Sequence, residues 1–124
     1  MPRIDKDIGP KLVSVARLLG DDVRNYEGEE LGSIKDVMLD MSTGEIAYII
    51  LSAGGILGIG EKLMAIPWYA FEPDPDARCL RLGIDKESLK EAPGFDKDEW
   101  PDMASVSWGR RIHDYFRSAE YHDR

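Results

Sequence analysis

The side chains able to do chemistry are few and poorly grouped. His113 and His122 are the two histidines, and they stand nine residues apart without a cysteine pair or a third ligand beside them. A structural or catalytic zinc site needs three or four such donors, so no metal is expected there. His113 is followed by Asp114, but no serine or cysteine motif supplies a nucleophile for that base, and a catalytic triad is not formed. Asp96, Asp98, Glu99 and Asp102 could surround a cation, yet the run lacks the glycine and the distal bidentate glutamate of a calcium loop. It reads as a solvated acidic turn. Gly54-Gly55-Ile56-Leu57-Gly58-Ile59-Gly60 superficially suggests a phosphate cradle, but such cradles sit at a helix N-terminus and here a strand follows. The stretch is a hairpin connection with an apolar tip of Ile56, Leu57 and Ile59, and exposed apolar tips mark contacts. The lone Cys79 cannot form an internal disulfide and reads as a small core residue, while Asp74-Pro75-Asp76 is turn chemistry. No catalytic residue, metal or cofactor is expected, and the chain does not read as an enzyme.

Composition narrows the partners. The 124 residues make one domain with room for appendages, large enough to bury a core without disulfides. Sixteen basic against 24 acidic side chains give a net charge of −8, which argues against a general binder of phosphate backbones. That charge is uneven. Residues 1–102 carry −9, whereas 103–124 carry +1 from Arg110, Arg111, Arg117 and Arg124 against three acids. The beginning of the sequence holds no apolar run of signal-peptide length, and no stretch approaches the ~20 apolar residues of a membrane span. The expected compartment is the cytoplasm.

The elements that would position these residues are short strands. Lys11-Leu12-Val13 reads as a first strand, and Ser14 opens one helical turn that Gly20 ends. Asp22–Asn25 is extended and Gly28 turns the chain. Leu31–Asp40 is a strand bent at Gly32, and Met41–Gly44 joins it to Glu45–Ser52. Lys62–Ile66 and Arg78–Ile84 complete the set, giving a mainly β fold, a small antiparallel barrel over residues 11–84. Gly32 and Gly44 are expected in backbone geometry that other residues disfavour.

The strand at 46–51 is apolar on both faces: Ala47, Ile49 and Leu51 on one, Ile46, Tyr48 and Ile50 on the other. A barrel strand alternates apolar and polar, so something must cover the outside. The candidate follows the barrel in residues 85–124, after an arm at 1–10 that precedes it. Asp85 caps a short helix over 85–92; an aromatic, irregular stretch follows; then a helix from Ser105 to about Ala119 puts Trp108, Ile112, Tyr115 and Phe116 on one stripe. Six of the eleven aromatic residues lie in the last thirty positions, so this tail packs on its own barrel or on a partner.

These pieces together spell a resemblance. Leu18-Leu19-Gly20-Asp21-Asp22-Val23, then Gly28-Glu29-Glu30-Leu31-Gly32-Ser33-Ile34, Thr43-Gly44-Glu45-Ile46, Leu57-Gly58-Ile59-Gly60 and Ala65-Ile66-Pro67-Trp68, resemble the PRC-barrel family. The family takes its name from the photosynthetic reaction-centre H subunit, and the same barrel occurs in a bacterial ribosome-maturation factor. The tail from Ala92 to Met103 resembles stand-alone bacterial members. The resemblance implies the barrel and a tendency to protein–protein contact, and it carries no catalytic residue across. The expectation is a non-enzymatic assembly module whose protein client is unidentified. It is expected to be a homodimer that buries Tyr48, Ile50 and the aromatic tail against a second subunit or client, with Arg110, Arg111 and Arg117 docking the tail on an acidic barrel or meeting an acidic partner. The alternative, by analogy, is an RNA- or ribosome-associated factor.

Overall fold

The computed structural model describes residues 12–54, 60–74 and 79–119. Six strands form one curled sheet in the order β4-β3-β2-β1-β6-β5, where β1 is Asp22–Arg24, β2 Glu30–Asp40, β3 Glu45–Ala53, β4 Lys62–Pro67, β5 Phe71–Asp74 and β6 Cys79–Leu82. All neighbours are antiparallel except β1 and β6, which run parallel. The helices are a single turn, α1 (Val15–Leu18), a short α2 (Lys86–Lys90) and the C-terminal α3 (Val106–Ala119). The fold is therefore the mainly β, curled sheet expected from the strand pattern. Among the described residues, no helix is long and apolar enough to cross a membrane.

Two expectations change. Leu12 and Val13 form no strand; the chain leads directly into α1, and β1 already has β2 on one side and β6 on the other. The sheet also gains β5, hidden in the sequence by Pro73. That strand sits at the end of the sheet order, where a residue without an N–H costs no ladder bond. The arm at 1–10 and the glycine-loop tip lie outside the described residues.

Curvature comes from bulges. The β1–β2 register slips between Val23 and Arg24, and β2–β3 slips at Ile34/Asp36 and again at Met38/Leu39. Each slip adds local twist and bends the ladder. Gly32 lies in this region, and a Cβ there would run into the Ser52 carbonyl oxygen, so the two strands approach only because the side chain is missing. At the β2–β3 hairpin Gly44 takes φ +78°, and its N–H donates to the Asp40 carbonyl at 2.8 Å. The Asp40 carboxylate accepts from Ser42 N at 2.9 Å and Ser42 Oγ at 2.7 Å, and these bonds hold its pKa below the usual value.

β3 is buried on both sides from Tyr48 to Leu51. Strand alternation and the β3–β4 register put Tyr48, Ile50, Ala65 and Pro67 on one face, and Ile49, Leu51, Met64 and Ile66 on the other. The second group joins Val23, Leu31 and Ile34 in one continuous core. The first group lies under α3, the element that packs on β4. The outer edge of β4 is taken as well. Leu63 and Phe95 exchange two backbone bonds, at 3.1 Å and 2.8 Å.

Candidate interaction surfaces

α3 turns the doubly apolar strand into an interior. Its sequence places Ile112 and Phe116 one helical turn apart, and both are buried. The Trp108 ring meets Tyr48 edge-on with centroids 5.3 Å apart. Gly109 sits over the same tyrosine: a Cβ there would lie 3.6 Å from Tyr48 Oη. Tyr115 is half-buried, and its hydroxyl donates to the Ser88 carbonyl of α2, tying the two helices together. Tyr48, Ile50, Trp108, Ile112, Tyr115 and Phe116 are thus brought together within one chain. In this chain α3 covers that face in cis, packing on β4 after the 85–105 connection, itself bridged to β4 at Phe95. Arg110 and Arg111 point away and are exposed. Ile56, Leu57 and Ile59 lie outside the described residues.

His113, weighed in the sequence only as a metal ligand or a base, is a packing residue. Its Nε2 lies 3.3 Å from Tyr48 Oη, its ring stacks on Tyr69 at 5.6 Å, and its carbonyl accepts from Tyr69 Oη at 3.4 Å. The Arg117 guanidinium covers the Tyr69 ring at 5.8 Å. Burial first, then the nearby Arg117 charge, hold the His113 pKa below its ordinary value, while Asp114 opposes them. Burial raises the Tyr48 pKa. Both shifts keep the phenol protonated and the imidazole neutral, and the imidazole tautomer sets which of the two donates across the contact. Nothing in this cluster is arranged as nucleophile and base. Among the described residues no group of three or more His, Cys, Asp or Glu could hold a metal ion.

Sequence reasoning missed Asn25, the one buried polar side chain among the described residues. Its Oδ1 accepts from Glu27 N at 3.0 Å and Glu29 N at 2.9 Å, and its Nδ2 donates to Glu29 Oε1 at 2.7 Å. Arg81, whose head is also held by Asp74, donates to the Asn25 carbonyl at 3.1 Å. The asparagine closes the β1–β2 turn and joins it to β6. In the sequence Gly28 marked the turn, while Asn25 read as ordinary extended chain.

With the geometry in place, the comparisons decide the family. The model of the PRC-barrel domain matches residues 10–85. The chain belongs to the PRC-barrel family. Among solved structures, the PRC barrel is similar to a 16S ribosomal RNA processing protein, RimM, from Pseudomonas aeruginosa. The two are 18% identical with a TM-score of 0.39, over 68% of this chain and 50% of that one. The chain thus spans about half the length of that protein. No curated protein matches it in sequence.

What the PRC barrel leaves uncovered is specific. In the α1 segment Leu12 is 82% exposed, Val13 61%, Val15 49% and Leu19 44%, while Leu18 alone turns inward. The segment is pinned to the sheet by Gly20 N donating to the Ile34 carbonyl at 2.8 Å, and Ile34 N donating to the Asp21 carbonyl at 2.9 Å. A second opening lies along α3, a shallow groove edged by Pro93, Ser107, Arg110, Arg111, Tyr115 and Ser118.

Proposed function

We propose that this PRC barrel is a non-enzymatic, cytoplasmic protein-interaction module whose contact surface is the apolar segment Leu12–Leu19. The observation that carries the reading is the exposure of four aliphatic side chains within eight residues, in a segment that Gly20 and Asp21, directly after it, hydrogen-bond to the sheet. Leaving an aliphatic side chain in water forgoes about 1.5–3 kcal/mol relative to full burial, so a preformed group of four is an efficient docking patch. The client is a protein presenting a complementary apolar surface. The face of β3 does not compete for that role, since α3 already covers it.

The test compares full-length protein with Leu12→Asp/Val15→Asp in affinity capture from the native cell. Both substituted side chains are exposed, so the β-rich circular dichroism should be unchanged. A bound protein recovered by the wild type and lost by the variant supports the segment. Equal recovery by both overturns it. Association with RNA or the ribosome, the alternative raised by the family resemblance, enters the same experiment. Ribosomal proteins retained by the variant and released steeply by salt would mark a phosphate-dependent contact instead.

A further inference from the structure

Two features of the tail remain unused by the barrel. Arg110 and Arg111 are adjacent, exposed and without an ion pair or hydrogen bond among the described residues, although the chain holds 24 acidic side chains against 16 basic. They stand on the wall of the groove floored by Pro93 and Tyr115, whose ring is fixed by its bond to Ser88. Asp114 is the groove's one carboxylate and lies beyond ion-pair distance of either arginine. The second feature precedes α3. Asp96, Asp98, Glu99 and Asp102 are exposed over one short stretch, which turns at 96–99 and again at 102–105, with Lys97 as the sole base, a net charge of −3. Trp100 in that stretch remains 41% exposed even though its indole N–H donates to the Lys97 carbonyl at 3.0 Å and its ring packs on Phe95 at 5.0 Å. The turn is thus shaped, acidic and still showing an aromatic face.

We propose that the α3 groove is an interface between two copies of this chain, with the 96–102 turn of each seated against Arg110 and Arg111 of the other. Charge complementarity selects the occupant: a turn of −3 meets a groove of net +1, Arg110 and Arg111 against Asp114, at each of two equivalent contacts, and the exposed indole finds the apolar groove floor. The order along the chain suits a two-fold pair. The acidic turn enters α3 and the arginines lie in the first half of that helix, so two α3 helices crossing antiparallel near their N-terminal ends bring each turn toward the other's arginines. Such an arrangement closes on itself because both copies make the same contact. A nucleic acid fits less well, since two arginines on a chain of net charge −8 fall short of the roughly 6–10 phosphate contacts of ordinary backbone binders. The surface shares no residue with the Leu12–Leu19 segment, so the two ideas fail separately.

Sedimentation of the full-length chain from low micromolar to near-millimolar concentration is the first measurement. A reversible dimer of the 14.0 kDa chain, weakened by added salt, is expected. Arg110→Glu/Arg111→Glu and Asp98→Lys/Glu99→Lys should each raise the dimer dissociation constant about tenfold or more, and mixing the two variants should restore association. All four side chains are exposed, so circular dichroism should not move. A wild type that stays at 14.0 kDa throughout overturns the proposal, as does a dimer indifferent to both variants or a mixture that fails to re-associate. A monomeric wild type whose arginines instead bind a poly-aspartate peptide or a single-stranded oligonucleotide overturns it too, and assigns the groove to another acidic partner.

Discussion

At the scale of single residues, the strongest constraint falls on a side chain with no chemistry to perform. Asn25 is fully enclosed, and its amide and carbonyl groups are all engaged. Removing the amide leaves Glu27 N and Glu29 N without their acceptor inside the turn, at a cost of roughly 1–3 kcal/mol for each polar group left unmet. Asn25→Ala should therefore lower the unfolding free energy by about 2–4 kcal/mol, read as a reduced urea midpoint with an unchanged slope. Asn25→Asp should fare no better, since it sets a carboxylate where the amide now donates to Glu29. Little of this was legible in the sequence. Gly28 announced a turn, but the bond from Arg81 comes from 56 residues away, and no local pattern encodes a partner that distant.

At the scale of elements, α3 carries a weak residue at a well-chosen place. Gly109 lowers helix propensity, yet a Cβ there meets Tyr48 Oη at an ordinary 3.6 Å and the backbone does not take a positive φ. Gly109→Ala should stabilise the protein by up to about 1 kcal/mol, seen as a higher thermal midpoint. The helix is also sensitive to acid. His113 is neutral in the folded chain with its pKa below the ordinary 6.5, and Tyr48, Tyr69, Asp114 and Arg117 are the titratable or charged groups around it. A group whose folded pKa is depressed contributes stability present above its unfolded value and lost as pH falls through the folded one. Stability should thus decline below about pH 6.5, and His113→Gln should flatten that part of the profile. Undocking is not expected, because Phe116→Ala would remove about 3–5 kcal/mol of buried contact, more than one half-exposed imidazole can oppose. The stripe Trp108, Ile112, Tyr115, Phe116 was legible as a helix face, as was the apolar outer side of β3. Their union in one chain was not, since an apolar stripe reads the same whether its cover is its own sheet or another's. β5 was illegible for a different reason: its proline reads as a breaker, and only a sheet-end position makes it harmless.

At the scale of the whole molecule, core and helix are one continuous cluster from Leu18 to Phe116, so opening should be cooperative. Cys79 reports on it. The thiol is buried on β6, between β1 and β5, and should react with a disulfide reagent only at the rate of global unfolding. Labelling of the intact protein within minutes would show that the β5–β6 end opens by itself. The backbone exchange between Leu63 and Phe95 has a wider consequence. An unpaired strand edge is a template on which another chain can continue the sheet, and on the edge strand β4 the tail already occupies Leu63, near the strand's start. The residues after the barrel therefore act as a guard against fibrous self-association as much as a lid on the core. A chain ending before Phe95 should bind thioflavin T and sediment as high polymer, while the complete chain stays dispersed.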